Sequence, residues 1–253
     1  MEIVSSVKRD YIIDLAKQGK RIDGRELDQF RDVSIEIGPI KSANGSAQVR
    51  IGNTRVLVGV KIERAEPFPD TPETGVLIVN AELRPLASPS FELGPPREGA
   101  IELARVVDRG IRESETIDLE KLGIKPKEEV WAVFVDIHVL DHDGNLIDAS
   151  ALGAIAALLN AKPPEDEAWS LGKFPIRKRP IAVTVSRIND KLMVDPCLDE
   201  ESVMDARLTI ATIEDGSICA MQKGGVGYFS REQIGQVYQL ARTKAAELRE
   251  RLG

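Results

Sequence analysis

The order of strand and helix patterns along the chain constrains its fold more than any single motif does. Alternating or strongly apolar runs typical of strands occur at Val33–Gly38, Ser46–Gly52, Thr54–Glu63, Gly75–Leu83 and Trp131–Leu140. Helix patterns are mixed with these runs, but strands and helices do not alternate one by one. That order favours an α+β fold over a doubly wound parallel sheet.

The C-terminal part of the chain repeats the mixture in shorter form. Strand patterns and then a closing helix are predicted at Pro180–Asp190, Lys191–Pro196, Ala206–Asp215, Gly216–Gly224 and Ser230–Leu252. Ser230 and Gln233 form a capping-box pattern where that helix begins. Hairpin turns are predicted at Gly52-Asn53 and at Asp215-Gly216.

Two other helices and a boundary complete the predicted organisation. Helical spacing covers residues 5–18, with Gly19 as a stop signal, and the alanine-rich segment Ala149–Ala161. Prolines and charges combine at Lys162–Trp169, which is the best boundary. We therefore predict an N-terminal helix in residues 1–20, a first domain over 21–162, a linker over 163–179 and a second domain over 180–253.

The charge balance limits the classes of function. The formal net charge is −7, whereas a free-standing nucleic-acid binder usually carries a basic excess. Any site for RNA or DNA must be local or shared with a basic partner. Cys197 and Cys219 fit neither a disulfide framework nor a zinc site. With no signal peptide and no run of about 18 apolar residues, we expect a cytoplasmic protein without membrane contact.

The helix pattern Glu98–Arg112 contains the most distinctive cations of the chain. Arg105, Arg109 and Arg112 stand at i, i+4 and i+7, which places them on one helix face. The residues expected to offer a surface for burial are Ile101, Ala104, Val106, Val107 and Ile111. Guanidinium groups bind phosphate or carboxylate through paired hydrogen bonds. Surface ion pairs with Glu98, Glu102 and Asp108 are an equally good interpretation, and the spacing alone does not choose between them.

Other motifs are better explained by structure than by chemistry. His138 and His142 are four residues apart, but a strand running into a turn holds them too far apart for one ion, so no metal site is predicted. The glycines of Lys223–Gly227 favour a tight turn over a phosphate loop. Clustered acids can hold Mg²⁺ or transfer protons, but a solvated acidic loop is favoured for Asp195, Asp199, Glu200, Glu201 and Asp205.

Several segments together resemble the RNase PH family of phosphorolytic ribonucleases. The matching segments are RIDGRELDQFR, GSAQVRIGNTRVLVGVK, the arginine-rich helix and VLDHDGNLIDAS, in the order of the family. The resemblance implies a first domain like the second domain of ribosomal protein S5, followed by a smaller second RNase PH domain. Within the family, DTPETGVLIVNAELRPLA, GPPREGAIELARVVDRGIRES and VDPCLDEESVMDA are most similar to the non-catalytic RNase PH-like subunit of the archaeal exosome ring.

Two departures from the family pattern imply that no residue of this chain is catalytic. Active members have a GG[ST]R-like loop that holds phosphate, where this chain has Gly144-Asn145-Leu146-Ile147. Active members also have two aspartates six residues apart, and the matching positions here are Glu201 and Arg207. Phosphorolysis needs a positioned phosphate and a proton for the leaving oxygen. We expect no cofactor and no metal for this chain.

The resemblance also implies contacts with RNA and with other subunits. Arg105 and Arg109 would reach RNA phosphates beside a partner's active site, with Arg112 and Arg97 as further candidates. The implied partners are a catalytic RNase PH-like subunit, which forms a heterodimer and a hexameric ring of three such pairs, and cap subunits with S1 or KH domains. Two alternatives stay open. The chain could be an active exonuclease using Asp199, Glu201 or Asp205, or a ring scaffold without RNA contact.

Overall fold

The computed structural model describes residues 6–252, so the first residue of the predicted helix over 5–18 lies outside the described residues. The helices are α1 (Ser6–Lys17), α2 (Glu98–Glu113), α3 (Leu146–Leu159), α4 (Leu198–Val203) and α5 (Arg231–Glu250). The strands of the N-terminal half are β1 (Val33–Ile37), β2 (Gly45–Ile51), β3 (Thr54–Ala65), β4 (Val76–Leu83), β5 (Gly123–Lys125) and β6 (Glu129–Asp141). Those of the C-terminal half are β7 (Ile181–Ile188), β8 (Lys191–Val194), β9 (Ala206–Thr212) and β10 (Ile218–Gly224).

The first sheet has six strands in the order β1-β2-β3-β6-β4, with β5 paired to β6. Its pairs are antiparallel except for β4 and β6, which run parallel. The predicted two-residue turn joins β2 to β3, because Ile51 pairs with Thr54 across Gly52-Asn53. Gly52 has φ +58°, a conformation that glycine adopts without strain.

Helix α3 lies between the first sheet and the second, which has the antiparallel order β10-β9-β7-β8. Its small side chains allow close packing: a Cβ added at Gly45 would lie 2.3 Å from the Ala157 carbonyl oxygen. One continuous core therefore includes Val49 and Val135 of the first sheet and Val183 and Ile210 of the second. Helix α5 covers the second sheet and begins with the predicted Ser230–Gln233 capping box.

Three local expectations were wrong. Helix α3 begins at Leu146, before the predicted Ala149, because Asn145 turns the chain with left-handed angles (φ 54°, ψ 46°) and acts as the N-cap. Helix α4 lies where an acidic loop was expected. Ile101 was expected to be buried but is 49% exposed, because it lies one helical turn before Arg105 on the same face of α2.

No helix within residues 6–252 combines the length and the apolar composition that a membrane crossing requires.

Candidate functional site

Helix α2 separates an apolar face from a cationic one. Its buried residues are Ala100, Leu103, Val107 and Ile111. Arg105, Arg109 and Arg112 are exposed on the opposite side, and we call these three residues the arginine face. Within the described chain, neither Arg105 nor Arg109 forms an ion pair with an acid. Both guanidinium groups are therefore available to an external anion.

The other two candidate arginines already have partners. Arg112 donates to both carboxylate oxygens of Asp108, at 3.0 and 2.7 Å, and to the Leu77 carbonyl at 3.1 Å. These hydrogen bonds with Asp108 raise the pKa of Arg112. Arg97, in the loop before α2, forms an exposed ion pair with Glu92. The surface-pairing interpretation thus fits Arg112 and Arg97.

Glu102 does not pair with Arg105, although the two residues are three apart on α2. It accepts a hydrogen bond from Arg207 of β9 at 2.9 Å, and a longer one from Gln222 at 3.4 Å. The contact joins the arginine-rich helix to the second sheet. It also leaves Arg105 without its nearest intrahelical carboxylate partner, which is why spacing alone could not decide the role of that arginine.

A cavity of about 180 Å³ lies at the positions where the chain departs from the family pattern. We call it the Glu201 pocket; its lining residues are Leu83, Phe91, Gly99, Glu102, Leu103, His142, Asn145, Leu146, Ile147, Thr184, Glu201 and Arg207. The start of α2, the start of α3 and the segment from α4 to β9 thus meet around one small space. Leu146 and Ile147 supply apolar atoms in the first turn of α3.

An internal carboxylate occupies the N terminus of α3. The backbone N–H of Asn145 donates to Oε1 of Glu201 at 2.8 Å. Free N–H groups at a helix N terminus commonly bind anions. Here one of them is used by the chain itself. Burial raises the pKa of Glu201, and the cation at the other family position, Arg207, is held by Glu102.

The predicted solvated acidic loop was wrong for Asp195 and Glu200. Asp195 is fully buried and binds Arg31 through two hydrogen bonds from the side chain, at 2.9 and 2.7 Å, and Arg25 through one at 3.0 Å. Glu200 is 1% exposed and binds Nε of Arg21 at 2.9 Å. The arginines of the polar segment at residues 21–31 therefore anchor it to the C-terminal half. Asp199 and Asp205 match the solvated description better, with side chains 38% and 45% exposed and ion pairs to Lys8 and Arg187.

Asn145 extends this anchor into α3. Its Nδ2 atom donates to Asp195 at 2.7 Å and to Asp148 at 2.8 Å. Asp148 is buried and also accepts from the backbone N–H and the hydroxyl of Thr184, at 2.8 and 2.7 Å. Burial raises the pKa of Asp148 to about 7 despite these donors.

This raised pKa predicts a pH dependence of stability. The folded chain holds the Asp148 proton more tightly than the unfolded chain does, so the stabilisation is full below the ordinary aspartate pKa of 3.8 and is lost as pH rises toward about 7. We expect the free energy of unfolding of the wild type to fall relative to that of Asp148→Asn, by up to about 4 kcal/mol. Urea denaturation of both proteins from pH 4 to 8 measures the difference. A difference that is constant with pH would contradict the assignment.

The remaining motifs are structural. His138 lies 3.4 Å from Glu82, while His142 stacks on Phe91 at 5.2 Å, so the two rings have separate surroundings. Among the described residues, no group of three or more His, Cys, Asp or Glu side chains is arranged to hold a metal. In the segment Lys223–Gly227, β10 ends at Gly224 and the chain bends at Gly225, while the Gly227 N–H donates to the Asp205 carbonyl at 2.7 Å. Residues 225–230 separate β10 from α5, so the connection is a six-residue loop and not the predicted tight turn.

Both halves of the chain match domains of a known protein family. Residues 29–164 match the model of the 3′ exoribonuclease family, domain 1, and residues 178–244 match domain 2. The chain belongs to the RNase PH family. The two RNase PH domains and the α+β fold agree with what the sequence segments implied.

Similar proteins carry a consistent description. "Exosome complex component Rrp42" of Methanocella arvoryzae is 56% identical, covering 99% of this chain and 97% of the relative. The protein of that name from Thermococcus onnurineus is 55% identical, covering 100% and 96%. A chain of the Archaeoglobus fulgidus exosome with RNA bound to the active site is 50% identical with a TM-score of 0.95, covering 100% of both chains. A rice Rrp46 structure, at 19% identity and a TM-score of 0.71, shares the fold.

Proposed function

We propose that this chain is a non-catalytic, RNA-binding subunit of an archaeal exosome core that works in the cytoplasm. Relatives over 50% identical along nearly the whole chain have the name of an exosome component. The complex degrades RNA from the 3′ end with inorganic phosphate. The part of this chain is to shape the active site of a catalytic partner and to guide RNA into it.

One observation carries the RNA-binding role: Arg105 and Arg109 are exposed, adjacent and without an ion pair among the described residues. They stand one helical turn apart, about 6 Å along the axis, which is close to the spacing of successive phosphates in an extended single strand. In a chain with a net charge of −7, two such cations form a local anion site rather than a general basic surface. Arg112 and Arg97 contribute less, since each already neutralises an acid.

Two features of the Glu201 pocket support the absence of catalysis. Inorganic phosphate at the start of α3 would meet the Glu201 carboxylate, which already accepts the Asn145 N–H. The position matching the second family aspartate is Arg207, which has no acidic proton to deliver to a leaving oxygen. Both requirements of phosphorolysis, a held nucleophile and a general acid, therefore depend on the partner.

A direct assay tests this absence. We expect the purified chain alone to release no nucleoside diphosphates from a 3′-labelled or unlabelled RNA oligonucleotide in the presence of inorganic phosphate. The same preparation mixed with a catalytic RNase PH-like subunit serves as the positive control. Robust phosphate-dependent turnover by the chain alone would contradict the proposal, and variants of Asp199, Glu201 and Asp205 would then identify the acid.

We also propose the assembly that the resemblance implied: a heterodimer with the catalytic subunit, three of which close a hexameric ring under cap subunits with S1 or KH domains. The similarity to chains of two archaeal exosome structures, at 50% and 48% identity, supports it. Light-scattering mass measurement of the chain, alone and mixed with the catalytic subunit, tests this stoichiometry.

A further inference from the structure

The Glu201 pocket has a wall suited to a flat ligand. The rings of Phe91 and His142 both line the cavity and stack on each other, with centroids 5.2 Å apart and planes inclined by 14°, so a ligand ring can stack only on an outer face of the pair. Leu83 and Leu103 add aliphatic atoms to the same cavity. Flat heteroaromatic rings stack favourably on such aromatic surfaces. The Arg105 and Arg109 side chains do not line this cavity, so a phosphate grip by those two residues leaves it unused.

The polar side of the pocket offers a hydrogen-bond acceptor. Oε1 of Glu201 accepts the Asn145 N–H at 2.8 Å, which fixes the carboxylate, whereas Oε2 makes no hydrogen bond to any described residue. A ligand with an N–H group on its edge would satisfy that oxygen. Carboxylates accept hydrogen bonds from the exocyclic amino group of cytosine in this way.

The size and position of the cavity narrow the ligand further. Its volume of about 180 Å³ is well below the ~300–1,000 Å³ of pockets for drug-sized ligands. It therefore admits one small ring system. Gly99 and Glu102, which line it, lie on α2 before Arg105, so the pocket and the arginine face are on one helix.

We propose that the Glu201 pocket binds a single nucleobase, stacked on the Phe91–His142 wall and held through an amino group by Oε2 of Glu201. The claim that the base comes from an RNA strand on the arginine face rests on the proposed function. The claim that the pocket binds a base does not rest on that function, because an uncharged nucleoside has no phosphate for Arg105 or Arg109 to hold.

A pocket-filling variant tests the cavity. A Cβ at Gly99 would meet the nearest atom, Leu83 Cδ1, at 3.6 Å, an ordinary contact, so Gly99→Leu adds a side chain at the pocket without a backbone clash. Gly235→Leu is the matched control, because Gly235 is a helical glycine of α5 with open space around its Cβ position. We expect saturable binding of cytidine to the wild-type chain and to Gly235→Leu by ligand-observed NMR. Gly99→Leu should weaken it at least tenfold.

The role of Glu201 has a more selective test. Cytidine and uridine differ at one edge position, an amino donor in cytidine and a carbonyl acceptor in uridine. The wild type should prefer cytidine. In Glu201→Gln the Asn145 N–H retains an oxygen, so the amide NH₂ faces the cavity and the preference should reverse toward uridine. An unchanged preference for cytidine in Glu201→Gln would remove Glu201 from the site. The proposal would be overturned if Gly99→Leu bound cytidine as well as the wild type does, or if the wild type bound no cytidine.

The same titrations separate this proposal from the RNA-binding role. Arg105→Glu/Arg109→Glu should bind cytidine as the wild type does, whatever it does to RNA. If cytidine binds but charge reversal leaves RNA binding by the ring intact, the base site stands and the phosphate grip fails. If cytidine does not bind but charge reversal weakens RNA binding by the ring, the phosphate grip stands and the base site fails.

Discussion

Reversing the charge of both free arginines, in Arg105→Glu/Arg109→Glu, is expected to weaken RNA binding by the assembled ring between tenfold and a hundredfold. The two guanidinium groups have no carboxylate partner within the described chain, so the variant loses contacts with an external anion and not contacts within the chain. Each phosphate neutralised on a single strand contributes about −0.7 to the slope of log affinity against log salt. The slope should therefore become shallower by about 1.4 for each subunit in contact with RNA. Fluorescence anisotropy across a salt series measures both quantities.

The matched control reverses two other exposed arginines, in Arg231→Glu/Arg242→Glu on α5, and changes the net charge equally. It should leave RNA affinity close to that of the wild type. Ring mass must be unchanged in both variants. If the Arg105 and Arg109 variant instead breaks the ring, the two arginines serve assembly. If the ring stays intact and binds RNA normally, the two arginines do not hold RNA. Either result favours the scaffold alternative. Arg112→Glu should have a smaller effect, because Asp108 already holds that side chain.

Removing the buried acid Glu200 is expected to produce a large loss of stability. The Arg21 and Glu200 side chains are 0% and 1% exposed, and they bind each other directly. Glu200→Ala leaves the Arg21 charge buried without its counter-ion, which typically costs about 3–5 kcal/mol. Glu200 also accepts the Cys197 N–H at the start of α4, at 3.0 Å, and that contact is lost as well. Urea denaturation should show a lower midpoint with an unchanged slope.

Two further variants separate charge burial from general damage. Arg21→Met/Glu200→Leu removes both charges and should recover much of the loss, since a buried ion pair is often replaceable by apolar side chains of similar volume. Lys125→Ala breaks an exposed ion pair with Glu128 and should leave the midpoint unchanged. If Glu200→Ala is no more destabilising than Lys125→Ala, the buried pair is not what anchors the polar segment.

Local signals were sufficient to predict most of the secondary structure. Alternation identified β1, the Gly52-Asn53 turn identified the hairpin of β2 and β3, and a strongly apolar run identified β6. The Ser230–Gln233 pair marked the start of α5. Each of these depends on residues within a few positions of one another, which is why sequence alone was adequate. The division of the chain at 163–179 and the RNA contacts of the arginine face stay predictions.

What sequence could not supply was pairing between distant segments. The three arginines at residues 21–31 looked like a polar turn, yet their partners Asp195 and Glu200 lie more than 160 residues later. For the same reason Glu102 could be assigned to Arg105 by spacing, although Arg207, 105 residues away, is its partner. A usable signal existed: the polar segment at residues 21–31 contains three arginines, and the later segment at residues 195–205 contains five acids. Composition shows that the two segments have opposite charges, but it does not show which arginine pairs with which acid.

The anchor between Arg31 and Asp195 has a consequence for synthesis on the ribosome. Arg31 is made 164 residues before Asp195, an interval of about 8 to 30 s at common translation rates. During that interval the guanidinium groups of residues 21–31 have no acid of the C-terminal half to bind. The first sheet can form from its own strands, but the segment before it is fastened only when Asp195 emerges. Completion of the native structure is therefore a late event in the life of the nascent chain.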